Sequence, residues 1–218
     1  MVSVFVVIVF VSLTFLEASA ATSPTNPSSH TFLSSTPLHT TPYRALYEET
    51  YSSPSASYTV LTSPSGGTTR AVTCLIWNTA LREFSLVTEL YPSARSSCLG
   101  TAAGLVDPGE APPDAAVREA GEECGLGGDV RCYQSGEARV MDKYVRSDIT
   151  PFLVVHSAPK RACPGGRDVE EEGMDVVYLT YEELMKRKGG MSVVGEWAVD
   201  QGLDLWREMG LGEGVNED

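Results

Sequence analysis

The chain has 218 residues, 42% of them hydrophobic and 21% charged, which excludes a collagen-like, fully disordered or polytopic membrane protein. That length leaves room for one comfortable domain or two small ones. Sixteen Lys and Arg stand against 29 Asp and Glu, a formal net charge of -13, and so acidic a surface repels nucleic-acid backbones.

Val2 to Leu16 is almost wholly apolar, and Ala18-Ser19-Ala20 follows as a small-residue cleavage site. A spanning helix needs about 20 apolar residues. The run therefore reads as a signal peptide over residues 1–20, though no Lys or Arg supplies the usual positive n-region. The expectation is the secretory pathway, secreted or in an organelle reached through it, with no stable membrane insertion; an uncleaved leader would leave the chain cytoplasmic. Residues 21–57 are dense in Ser, Thr and Pro and read as a disordered tether, because such a stretch buries too little apolar surface to offset its ordering entropy. Asn26 is followed by Pro27, so no glycosylation sequon is present there.

From about Tyr58 the texture becomes that of a folded domain, expected over 58–212 with a short tail at 213–218. Ser57–Thr62 and Ala71–Trp77 are β-branched and aromatic runs on either side of Ser65-Gly66-Gly67 and read as two strands around a turn. Further strands are expected at 84–88, 152–156 and 175–179. Helices are expected at 113–124, at 181–188 behind a Thr180/Glu183 capping box, and at about 194–209. Mixed strands and helices over this length predict one α/β or α+β domain. The five cysteines, Cys74, Cys98, Cys124, Cys132 and Cys163, form no C-x-x-C pair and read mainly as small buried side chains.

One segment, residues 104–126, differs in kind. Asp107-Pro108-Gly109 is a turn, Pro112-Pro113 suits a helix entrance, and Gly125 suits a helix end. At helical spacing Ala116, Val117, Ala120 and Cys124 share one face, and Glu119, Glu122 and Glu123 share the other within about 100°. Three carboxylates on adjacent turns repel one another. A hard divalent cation with oxygen ligands offsets that repulsion, and Arg118 can pair with Glu110 or Glu122 to hold the loop against the helix.

The spacing of the whole segment resembles the Nudix box, G-x5-E-x7-R-E-U-x-E-E-x-G-U with U aliphatic. Gly104, Glu110, Arg118, Glu119, Glu122, Glu123 and Gly125 fill its fixed positions, and Ala120 and Leu126 its aliphatic ones. The resemblance implies an α/β Nudix fold, an α/β/α sandwich around a mixed β-sheet. It also implies metal-dependent hydrolysis of a nucleoside diphosphate linked to another moiety, with Mg2+ or Mn2+ as cofactor. Carried over by residue, Glu119 and Glu123 are the principal metal ligands and Glu122 a further or water-mediated one. The carbonyl of Ala103 is a ligand in part of the family. Gly104, Glu110, Arg118 and Gly125 shape the box.

Beyond the box the chain is most similar to the ADP-ribose and ADP-sugar pyrophosphatases, through Ala103–Glu110, Ser147–Thr150, Glu172–Leu179 and Ala198–Trp206. That similarity implies an ADP-sugar such as ADP-ribose as substrate, a nucleoside monophosphate and a sugar phosphate as products, and Glu172 as general base. It is compatible with a homodimer. The chain departs from that branch at Gly100, at Thr101-Ala102-Ala103 and at Met141-Asp142, and Tyr144 lies near where dinucleoside-polyphosphate enzymes carry a tyrosine. Alternatives are a dinucleoside-polyphosphate or nucleoside-triphosphate pyrophosphohydrolase, or a non-catalytic nucleotide-binding module.

Overall fold

The computed structural model describes residues 31–40, 45–54, 56–62, 69–91, 94–140, 147–161, 164 and 174–213. The expected leader, Glu172 with its neighbours Glu170 and Glu171, Met141-Asp142, Tyr144, Cys163 and the turn at Ser65-Gly66-Gly67 lie outside those residues. The chain divides into two units, residues 1–68 with 142–146 and residues 69–141 with 147–218.

In the first unit β1 (Thr31–Thr40), β2 (Ala45–Ser52) and β3 (Ser57–Thr62) form a three-stranded antiparallel sheet in that order. Two of these strands stand in the stretch expected to be a disordered tether. The composition misled because Thr is β-branched as well as polar, and because Pro is tolerated in an outer strand. Pro37 sits in β1 beside a register shift between Pro37 and His39. Aromatic side chains supply the packing: Tyr51 stacks on Tyr58 at 5.8 Å and meets Phe32 edge-on at 5.7 Å. β3 pairs with β2 in this sheet rather than forming a hairpin with the next strand, so the unit boundary falls after Thr68 and not at 58.

The second unit is built on β4 (Thr69–Asn78). Its residues Ala71 to Asn78 are all buried, and the near-continuous apolar run marks a strand covered on both faces. β10 (Ser147–His156) runs parallel to β4, and β5 (Glu83–Tyr91) runs antiparallel on its other side. β11 (Asp175–Leu179) extends the sheet past β5, and β8 (Arg131–Gln134) and β9 (Arg139–Val140) extend it past β10. β4 and β5 pair only over Ile76–Asn78 and Glu83–Ser85 and then diverge. β6 (Ser96–Gly100) continues on β5, and β7 (Ala102–Leu105) continues on β4. The sheet is therefore mixed, with one parallel pair among antiparallel ones.

Period-two alternation divides the apolar side chains between two layers. Val72, Cys74, Ile76, Phe152 and Val154 face α1 (Pro112–Cys124) through Ala115, Ala116, Ala120 and Cys124. Leu75, Trp77, Leu153 and Val155 instead pack with Leu184 of α2 (Tyr181–Arg187) and with Val199, Leu203 and Trp206 of α3 (Val193–Glu208). Trp206 is the hub of this second layer, 5.2 Å from Trp77, 5.4 Å from Phe84 and stacked on Tyr181 at 5.5 Å. The unit is thus an α/β/α sandwich. Among the described residues no helix is long and apolar enough to cross a membrane.

Candidate active site

The loop before α1 is set by its own chemistry. Pro108 and Gly109 occupy the centre of a turn closed by Glu110 N–H donating to the Asp107 carbonyl at 3.0 Å, and Gly109 takes φ 88°, as a type II turn requires. α1 then opens on Pro112, whose absent N–H leaves nothing unsatisfied there, and ends at Gly125, at φ 75°, whose N–H donates to the Gly121 carbonyl. Small side chains at Ala115, Ala116 and Ala120, all fully buried, let the helix lie close on the sheet.

That closeness decides where the acidic side chains go. Glu119 and Glu123 are buried, at 7% and 3% exposure, although both carry carboxylates. They meet β7. Ala103 N–H donates to Glu123 Oε1 at 3.4 Å, and the Glu119 carboxylate occupies the space that a side chain on Gly104 would fill. Glu122, one position off that direction, turns outward to Arg118 and lines an open groove of about 430 Å3 with Val117, Leu126 and Val130.

Arg118 ties these parts together. Its Nε and Nη2 donate to the two oxygens of Glu110 at 3.0 and 3.1 Å, a bidentate pair. Its Nη1 donates to Glu119 at 2.8 Å and to Glu122 at 3.1 Å, and Nη2 also reaches the Leu105 carbonyl at 2.9 Å. The bond to Arg118, followed by the Asp107 N–H at 3.0 Å, holds the Glu110 carboxyl below the usual carboxylate range. The guanidinium is in turn held more firmly protonated than usual, chiefly by Glu110. The Leu105 carbonyl is a partner the sequence did not announce, because a backbone acceptor leaves no signature in residue type.

Three carboxylates, Glu110, Glu119 and Glu122, surround this one guanidinium, and the buried Glu119 stands one helical turn from a second buried carboxylate, Glu123. Buried like charges one helical turn apart are costly without a counter-charge. Among the described residues no group of three or more Asp, Glu, His or Cys side chains is arranged to hold an ion. Two buried carboxylates beside a backbone edge still fit Mg2+ or Mn2+, hard cations served by oxygen donors; Mg2+ in particular keeps several of its waters instead of taking an all-protein cage. The residues present therefore fit the cation that the box implies, and Glu119 and Glu123 are the side chains that would hold it. For Ala103 the structure shows the N–H engaged with Glu123.

Cys74, fully buried beneath α1, donates its thiol to the Ala116 carbonyl at 3.4 Å. Burial raises its pKa first, then the neighbouring Cys132 and Glu123. Burial also pushes Cys132 up to about 12. Both thiols are thus disfavoured as thiolates at neutral pH, in keeping with packing roles.

A family model described as the NUDIX domain matches residues 67–197. A solved structure described as "Crystal structure of ADP compounds hydrolase" is similar with a TM-score of 0.64 and 20% identity, over 88% of this chain and 100% of that one. At that identity the likeness is one of fold. No curated protein matches the chain.

Proposed function

The chain belongs to the Nudix family of hydrolases, and from that premise we propose that it hydrolyses an ADP-sugar, ADP-ribose first among them, with Mg2+ or Mn2+ as cofactor. The observation that carries the proposal is the buried pair Glu119 and Glu123 held against β7 by Gly104 and Arg118. The ADP-sugar part is supported by the fold shared with an ADP compounds hydrolase and by the sequence phrases shared with that branch. When bound, the cation supplies the positive charge that lets a diphosphate approach carboxylates and that stabilises charge developing on its phosphoryl oxygens.

The chain's own residues do the positioning. Glu119 and Glu123 present hard oxygens from one side of α1. Arg118 fixes the direction of Glu119 and binds the preceding loop through Glu110 and Leu105, which ties the loop to the helix. In the reaction water adds to one phosphorus, the P–O–P bridge breaks, and a nucleoside monophosphate and a sugar phosphate leave with one proton released. Glu172, outside the described residues, is proposed to accept that proton.

A nucleotide panel tests this. With Mg2+ the wild type should convert ADP-ribose to AMP and ribose 5-phosphate, and without a divalent ion it should not. Glu123→Gln keeps the side chain's shape and should lower turnover by about 10³-fold while the melting temperature holds, since it removes charge at the centre of the site. Turnover of dinucleoside polyphosphates or nucleoside triphosphates alone would move the substrate class. Nucleotide binding without any product would make the chain a binding module.

A further inference from the structure

The chain crosses from one strand of the sheet to another immediately beside the carboxylate cluster. β6 ends on β5 at Gly100, and β7 begins on β4 at Ala102, so Thr101 is the single residue of the crossing and belongs to neither ladder. β7 has four residues and pairs only with β4 among the described residues, so few ladder bonds set its height on that strand. At this point Thr101 Oγ1 lies 2.6 Å from Thr73 Oγ1, and the two residues are 5% and 0% exposed. Thr73 alternates in phase with Leu75 and Trp77, on the face of the sheet away from α1. Neither hydroxyl therefore lies on the carboxylates' side of the sheet. Two and three residues beyond the crossing come Ala103, whose N–H meets Glu123, and Gly104, whose bare Cα admits Glu119.

We propose that the Thr73–Thr101 hydroxyl pair is a positioning element for the metal-holding carboxylates, fixing the height of β7 on β4 and so where Ala103 and Gly104 meet Glu123 and Glu119. The inference rests on the metal-dependent activity proposed above. It acts through the backbone of β7, since the pair sits behind the strand, on the far side from α1. A buried hydroxyl needs its partner, and each of these has the other. Removing either one frees the crossing to shift, and a shift of β7 relative to α1 moves both carboxylates' surroundings at once.

Calorimetric titration of the full chain with Mn2+, with melting temperatures taken in parallel, tests the inference. Thr101→Val should weaken Mn2+ binding by about tenfold, the scale on which groups behind metal ligands act, whereas Thr101→Ser should bind as the wild type does. Thr73→Val should match Thr101→Val, and the double variant should lose no more than either, because one bond is being removed twice. Thr73→Val also reads the same bond if Thr101→Val fails to fold. Unchanged Mn2+ affinity in the Val variants, with only a lowered melting temperature, would reduce the pair to packing and overturn the inference. Equal weakening by Val and Ser at 101 would overturn it too, by assigning the effect to the methyl group. A wild type that takes up no Mn2+ would remove the proposed activity itself, whereas uptake by wild type and variants alike removes only this inference.

Discussion

A carbon added to the Cα of Gly104 would lie 2.0 Å from Glu119 Oε1 and 2.1 Å from its Cδ. Glu119 cannot give way freely, because Arg118 holds the same oxygen at 2.8 Å. Gly104→Ala should therefore displace the Glu119 carboxylate, proposed above to hold the metal, without opening the core. Turnover is expected to fall by about 10²-fold, the scale of an ångström's misplacement at a reacting centre, with little change in melting temperature. Steady-state kinetics beside a thermal melt checks it, and near-normal turnover would separate Glu119 from the chemistry. The identities of Gly104, Glu110, Arg118 and the three glutamates were legible in the sequence because a fixed spacing carries them. That Glu119 and Glu123 go inward while Glu122 turns out to Arg118 was not, since a helical arc of about 100° holds all three until a strand packs against part of it.

At the scale of elements, two glycines inside helices should respond oppositely to the same change. Gly202 of α3 faces β4 so closely that a Cβ would lie 2.7 Å from Leu75 Cβ, an atom that moves only with the strand. Gly121 of α1 has nothing within 4 Å of that position. Alanine is the better helix former by about 1 kcal/mol, and overpacking a core costs about 1–3 kcal/mol. Gly202→Ala should thus lower stability and Gly121→Ala should raise it, as chemical denaturation of the two variants would show; equal signs would mean that α3 does not lie this close to β4. The same contrast bears on what the sequence disclosed. α1, α2 and α3 were visible from periodicity and caps, and the Thr180 capping box forms as expected. β6 to β9 were missed because Ser96–Gly100, Ala102–Leu105, Arg131–Gln134 and Arg139–Val140 carry few of the β-branched and aromatic residues that marked the equally short β11. β1 and β2 were missed because Ser, Thr and Pro serve an outer strand as well as a disordered segment.

For the whole molecule the expected signature is acid lability in two stages. His156 is buried at the end of β10, its Nδ1 3.3 Å from the Gly127 carbonyl, and burial lowers its pKa more than Gly127 and Glu83 raise it. An unfolded imidazole takes up its proton near pH 6.5 and the folded one only at lower pH, so the unfolded state binds more protons between those values. Stability should therefore fall as the pH drops below about 6.5. Glu110, held down by Arg118 and the Asp107 N–H, and Glu183, held down by the Thr180 N–H and hydroxyl, have lowered pKa values. Their contribution is complete above the unfolded carboxylate value near 4.3 and is lost as the pH falls below it. Melting temperatures from pH 8 to pH 3 should decline in these two windows, and His156→Gln should flatten the upper one alone. An unaltered upper window in that variant would show that another group controls it.

Residue identities at fixed intervals determined by themselves that a carboxylate-bearing helix follows a glycine-containing turn, because turns, caps and charge spacing are local properties of the chain. Local properties also fixed the mixed α/β character. Which carboxylates are buried, which carbonyl Arg118 completes, and how the crossing at Thr101 is pinned arise from contacts between strands and helix far apart in the chain. Those were decided only when β7 was laid along β4 under α1, since burial is a property of what packs on a residue and not of the residue.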